Sequence, residues 1–123
     1  MECFLSETLD SSKSSNDLRW RIEHAQCVNN NDLHYFKDFN IIPSVQPTHA
    51  TSDYSWAANR IGKKRLTNCY RYKTLYEENF LIAIGTDFPV EKINPINTFF
   101  AAVFRKSFDG SPVNGFQKNE ALT

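Results

Sequence analysis

Three side chains in this sequence have types and positions that could serve one chemistry. His24 closes the stretch Leu18-Arg19-Trp20-Arg21-Ile22-Glu23-His24-Ala25, His49 follows Val45-Gln46-Pro47-Thr48, and Asp87 follows the apolar run Phe80–Gly85. Imidazole nitrogens and a carboxylate oxygen suit a divalent metal, zinc first. A carboxylate beside such a metal can also accept a proton from activated water. Taken singly, each has a plainer role. A strand histidine is more often a satisfied core residue. Asp87 before Phe-Pro suits an Asx-turn as well as a site. A loop histidine such as His49 is often merely solvated, and Trp56 can cover a core edge. Lys63-Lys64-Arg65 reads as a solvated helix start, and Glu91-Lys92 as a surface pair worth little. No GxGxxG, GxxxxGK[ST] or GxSxG pattern occurs, so nucleotide-binding and serine-hydrolase chemistry have no support.

The elements around these residues alternate in type. Leu18 to Ala25 alternates apolar and polar residues, the period of a strand. Leu33, Phe36 and Phe39 recur at helical spacing, predicting a short helix over 32–39 behind an Asn30 or Asn31 cap and ended by Asn40. Ile41 to Gln46 is a second strand, although Pro43 removes a ladder donor. Pro47 to Lys64 reads as a long irregular connection, and 65–79 as a helix with Leu66, Cys69, Tyr70, Tyr76 and Phe80 on one stripe. Phe80 to Gly85 is nearly all apolar, as expected of a strand buried on both faces of a parallel sheet. Asn94-Pro95 is an N-cap followed by proline at the first helical position. Ile96, Phe99, Phe100, Val103 and Phe104 then mark one wide apolar helix face, stopped by Asp109-Gly110-Ser111-Pro112. Asn119 to Thr123 resembles a cap and first turn. Strand, helix, strand, loop, helix, strand, helix implies parallel strands with helical crossovers, hence an α/β fold. In such folds ligands bind at the carboxyl ends of the strands, where His24, His49 and Asp87 fall.

Composition bounds the rest. The chain has 123 residues, 41% hydrophobic and 23% charged, enough for one small domain with a core. Fourteen basic and 14 acidic residues cancel, which argues against a nucleic-acid partner. No apolar run spans a membrane, and the start lacks the basic and apolar regions of a signal peptide, so a cytoplasmic location is favoured. Cys3, Cys27 and Cys69 are odd in number and lack metal-knuckle spacing. They read as small buried hydrophobes with free thiols. The chain divides into a helix end and polar loop over 1–17, a motif-bearing β/α part over 18–106, and a closing loop with the start of a helix over 107–123.

Three blocks carry a resemblance. Arg19-Trp20-Arg21-Ile22-Glu23-His24-Ala25-Gln26, then Val45-Gln46-Pro47-Thr48-His49-Ala50-Thr51-Ser52-Asp53, then Gly85-Thr86-Asp87-Phe88-Pro89-Val90-Glu91 with Asn94-Pro95, are similar to signature blocks of the metal-dependent amidohydrolases. The branch is amidohydrolase family 3, the YtcJ-like or N-substituted formamide deformylase-like proteins. The similarity covers about residues 18–106 and takes in Trp56, Arg60, Gly62, Arg65 and Tyr70. It implies a partial TIM (β/α)8 barrel, with strands 6 to 8 and their helices present. His24 matches the sixth-strand metal histidine, and Asp87 the eighth-strand aspartate, both metal ligand and catalytic base. His49, Trp56 and Arg60 would meet a small amide-like substrate. The implied cofactor is a divalent metal, zinc first, and the implied reaction is attack of activated water on an amide- or formamide-like C–N bond. The family's first-strand HxH pair and fifth-strand histidine block are absent from these residues. The chain therefore reads as a late slice of the barrel, expected to be inactive alone. The alternatives are a non-catalytic remnant, or a small α/β binding module in which His24 and Asp87 only make structural hydrogen bonds.

Overall fold

A computed structural model describes residues 18–123; the predicted helix end over 2–9, the serine-rich loop and Cys3 lie outside the described residues. A three-stranded parallel sheet carries the fold, in the order β1 (Arg21–Ile22), β2 (Ile42–Val45), β3 (Ala83–Ile84). Between β1 and β2 lie a 3-10 turn (Asn30–Asp32) and α1 (His34–Asp38). After β2 come α2 (Pro47–Asp53), α3 (Ala57–Ile61), α4 (Lys63–Leu66) and α5 (Tyr72–Asn79); after β3 comes α6 (Pro95–Phe104), then a 3-10 turn (Lys118–Glu120). The α/β class and parallel order expected from the sequence are present.

The strands are shorter than their apolar runs. β1 stops at Ile22 because His24 adopts φ 52°, which breaks the pleat, yet the Ala25 N–H still reaches the Ser44 carbonyl of β2 at 3.0 Å. Pro43 sits in the central strand, a place that proline usually avoids. Ile42 N–H donates to Trp20 O on the β1 side, so the Pro43 nitrogen faces the β3 side. There the Leu81 carbonyl would lack a ladder donor, and the Asn79 side chain supplies one at 3.2 Å, bonding the Ile41 carbonyl as well at 3.1 Å. β3 is correspondingly reduced to two residues. Its run is not buried on both faces as predicted: Leu81 and Ile84 are about half exposed, because β3 is an edge with one neighbour among the described residues.

The predicted irregular connection over 47–64 is instead helical. Pro47 occupies the first turn of α2, and Gly62, at φ 80°, makes the left-handed break between α3 and α4. The helix predicted over 65–79 is split, and the face of α5 that is buried carries Tyr72 and Leu75, whereas Tyr76 and Phe80 are exposed. The predicted cap of α6 is as read: Asn94 accepts from the Ile96 N–H at 3.0 Å, with Pro95 at the first position. Its buried face differs. Thr98, Ala101, Ala102 and the following Arg105 are buried and α6 packs on α2, while Ile96, Phe99 and Phe104 stay exposed. Small residues let the two helices approach, and the large apolar ones point away.

The core gathers Ala25, Phe36, Ile41, Val45, Ala50, Ala57, Cys69, Tyr70, Tyr72 and Leu75. The free-thiol reading of Cys27 and Cys69 is corrected: they form a disulfide across 42 residues, within an antiparallel bridge that also pairs Tyr70 N–H with Gln26 O. An odd cysteine count and a long spacing gave no sign of a pairing that only the tertiary fold creates.

Candidate metal centre

His24 stands in the turn that ends β1, His49 on the first turns of α2 just past β2, and Asp87 in the turn that ends β3. The parallel sheet thus delivers all three to its carboxyl edge, as parallel α/β sheets do. Ligating atoms of His24, His49 and Asp87 lie within 4.8 Å of one another. Asp87 Oδ2 is 3.2 Å from His49 Nε2, and Asp87 Oδ1 is 3.7 Å from His24 Nε2. The two imidazoles stack nearly parallel, 6° apart in plane, with centroids 5.6 Å apart.

The plainer roles do not fit this geometry. The His24 side chain is 50% exposed, so it is no core histidine. His49 is only 12% exposed, so it is no solvated loop residue. The turn after β3 is closed by the Asp87 backbone carbonyl, which accepts from Val90 N–H and Glu91 N–H, and by Thr86 Oγ1, which accepts from Phe88 N–H. The Asp87 carboxylate is therefore not spent on an Asx-turn. His24 and Asp87 both hold left-handed backbone conformations, φ 52° and 57°, that non-glycine residues seldom adopt. Such conformations concentrate at functional sites, where surrounding structure must enforce them.

The donor set fits a divalent cation. Two imidazoles and a carboxylate are the ligand types that zinc takes in catalytic sites. His49 Nε2 is buried without a hydrogen-bond partner. Asp87 Oδ2, 3.2 Å away, is a carboxylate oxygen, which has no proton to offer unless it is itself protonated. A cation between them would satisfy both.

Behind His49 lies a polar network. His49 Nδ1 bonds Gln26 Oε1 at 3.1 Å, Gln26 Nε2 donates to Asp53 Oδ2 at 3.3 Å and to Tyr70 Oη at 3.2 Å, and Tyr70 Oη donates to Asp53 Oδ2 at 2.9 Å. Burial, then the bond to Asp53 and its charge, push the Tyr70 hydroxyl well above its ordinary value, so it stays a donor. Sequence reasoning gave Gln26, Asp53 and Tyr70 no role. A signal existed: His24 and Gln26 stand two residues apart, and His49 and Asp53 stand i,i+4, on one face once 47–53 is helical. Reading that stretch as irregular concealed it.

The site opens into a cavity of about 540 Å³ lined by His24, Gln26, Cys27, His49, Asp53, Val90 and Glu91. Trp56 caps α3 and Arg60 lies within it, both exposed, and neither lines this cavity.

Comparison with known proteins agrees with this geometry. Residues 7–123 match the amidohydrolase family. The chain is 35% identical over 100 residues to Protein LONG AFTER FAR-RED 3 of Arabidopsis thaliana, covering 80% of this chain and 17% of that protein. It is 31% identical over 102 residues to Putative amidohydrolase YtcJ of Bacillus subtilis, covering 83% and 19%. Among solved structures it is similar to an uncharacterized metal-dependent hydrolase from Pyrococcus horikoshii (TM-score 0.71, 35% identity, 83% of this chain and 20% of that one). A second, from Pyrococcus furiosus, has a TM-score of 0.64 and 33% identity, over 81% and 20%. The chain thus spans about a fifth of the length of the relatives it matches. A match over nearly all of its residues, with the signature histidine and aspartate converging at one sheet edge, places the chain in the amidohydrolase family.

Proposed function

We propose that these residues form part of the catalytic centre of a zinc hydrolase that cleaves a non-peptide C–N bond, of amide or formamide type. The sheet is then a three-strand arc of a (β/α)8 barrel, strands 6 to 8. The observation that carries the reading is the convergence of His24, His49 and Asp87 donors at the carboxyl edge of parallel strands, with a buried imidazole nitrogen left unpartnered. His24 and Asp87 would hold the metal. When bound, zinc lowers the pKa of water and polarises a carbonyl. Asp87 has the position to accept the proton of the attacking water at a carboxylate oxygen and return it to the leaving nitrogen. His24, half exposed at the mouth, leaves space on its open side for a small substrate.

The test is metal content with turnover of an N-formyl amine by a complete barrel protein that carries these residues, since the 123-residue chain alone is expected to bind zinc without turnover. Zinc should copurify. Asp87→Asn should lose turnover by roughly 10²–10⁴-fold, the worth of a general acid–base group, and His24→Ala should lose bound zinc. Full turnover by zinc-free protein would overturn the reading.

A further inference from the structure

We propose that His49 is a protein ligand of this metal site and that Gln26 positions it, by holding the imidazole in the tautomer that carries its proton on Nδ1. The inference rests on the metal-site reading above and goes beyond it, for it assigns a third ligand and the residue that presents it.

The argument follows the direction of each hydrogen bond. A carboxylate only accepts, so Asp53 Oδ2 fixes what faces it: the Tyr70 O–H at 2.9 Å and the Gln26 amide nitrogen at 3.3 Å. With its proton committed to Asp53, Tyr70 Oη can only accept from Gln26 Nε2, at 3.2 Å. Two partners thus hold the Gln26 NH2 group on one side, and its carbonyl oxygen must point the other way. That oxygen meets His49 Nδ1 at 3.1 Å and can only accept. Nδ1 must therefore carry the proton in either charge state. In the neutral ring, Nε2 is left with a lone pair, and this is the buried atom without a hydrogen-bond partner, 3.2 Å from Asp87 Oδ2. Lone pair against carboxylate is repulsive unless a metal ion or a proton lies between them, and a metal ion in that place satisfies both. Metal-ligating histidines usually donate their second N–H to a neighbouring acceptor, which fixes the ring and its tautomer. Gln26 is that acceptor here, with Asp53 and Tyr70 orienting it.

The experiment combines three readouts on the full chain, none of them turnover. Ring-nitrogen NMR of the metal-free protein should show His49 as the Nδ1–H form. X-ray absorption of the zinc-loaded protein should count two imidazoles per zinc, falling to one in His49→Ala. Zinc affinity, by competition with a coloured chelator, should fall roughly 10–100-fold in Gln26→Leu. Gln26→Glu paired with Asp53→Asn keeps an acceptor toward Nδ1 and restores an amide donor behind it, and should retain both the Nδ1–H form and tight binding. Should Gln26→Leu fail to fold, the wild-type spectra and the Gln26→Glu, Asp53→Asn double variant decide. A single imidazole in the wild type, an Nε2–H ring, or unchanged affinity in folded Gln26→Leu overturns this inference and leaves His24 and Asp87 untouched. Absence of zinc uptake by the wild type overturns both readings.

Discussion

A histidine at a strand end and an aspartate before a proline are ordinary residues; what distinguishes His24, His49 and Asp87 is that none makes the local bond its type usually makes. The Asp87 turn is closed by backbone and by Thr86, His49 Nε2 has no donor or acceptor bond, and His24 stands half in solvent. The tyrosines behind them carry a pH prediction. Tyr70 is held above its ordinary value of 10.0 by burial first, then by Asp53, and Tyr72 chiefly by burial, with Arg105 opposing. Raised folded values mean that the protein favours the neutral phenols. Their contribution to stability is complete below pH 10 and shrinks as pH climbs past that value toward the folded ones. Their phenolate absorbance should thus emerge with loss of circular dichroism, not before it. Tyr72→Phe should remove one phenolate from that coupled step; ionisation of either tyrosine in a fully folded chain would contradict the argument. At this scale the sequence was informative about type: His24 and Asp87 stood out by position at the ends of expected strands. Gln26 and Asp53 did not, because their spacing from His24 and His49 is informative only once 47–53 is known to be helical and the two face each other across 27 residues.

Elements were legible where their signals were local. The Asn94-Pro95 start of α6 was readable because a cap and a fixed φ act within one turn. Which face of α6 is buried was not, because that depends on α2, a helix hidden in a stretch without apolar period. The docked face leads to Arg105, wholly buried, which ends α6 at φ 56°. Its guanidinium donates to Phe116 O at 2.8 Å and Tyr70 O at 3.1 Å, and lies 4.8 Å from the Tyr72 ring centroid. Farther along, the Glu120 carboxylate accepts from Thr74 N–H at 3.0 Å and Thr74 Oγ1 at 2.8 Å, serving as a remote cap for α5, whose own N-cap residue, Arg71, makes no side-chain capping bond. The segment from Phe116 to Glu120 thus ties α5 and α6 together. Two stability predictions follow from bonds left unmade in the interior. Arg105→Ala should cost about 2–4 kcal/mol, as two carbonyls lose their donor and the stacking on Tyr72 is lost. Glu120→Ala should cost about 1–2 kcal/mol, the worth of a cap. Urea denaturation measures both; a loss below about 0.5 kcal/mol in each would show that surface substitutions and these are alike.

For the whole molecule, the same sheet that delivers the site leaves apolar surface uncovered. β1 and β3 each have one neighbouring strand among the described residues. Phe80 and Leu81 leading into β3, Ile84 within it, and Phe88, Ile96, Phe99 and Phe104 in and before α6, are exposed to about half or more of their area. Open strand edges beside exposed apolar patches template association, and a formal charge of +0 supplies no repulsion against it. The site faces the same deficit, since its cavity of about 540 Å³ is lined by few residues and opens to water. Excluding water is part of what strengthens electrostatic catalysis. The 123-residue polypeptide expressed by itself should therefore sediment as a mixture of oligomers at micromolar concentration, take up zinc, and hydrolyse an N-formyl amine no faster than a zinc-buffer blank. Replacing Phe99 and Ile84 with Glu and Lys should shift the mixture toward monomer without restoring turnover, because those changes blunt the surface and do not complete the cavity. A sharp monomer boundary for the unaltered polypeptide would show that its exposed apolar face is tolerated. Turnover above the blank, lost in Asp87→Asn, would show that these three donors suffice for the chemistry without further walls around them.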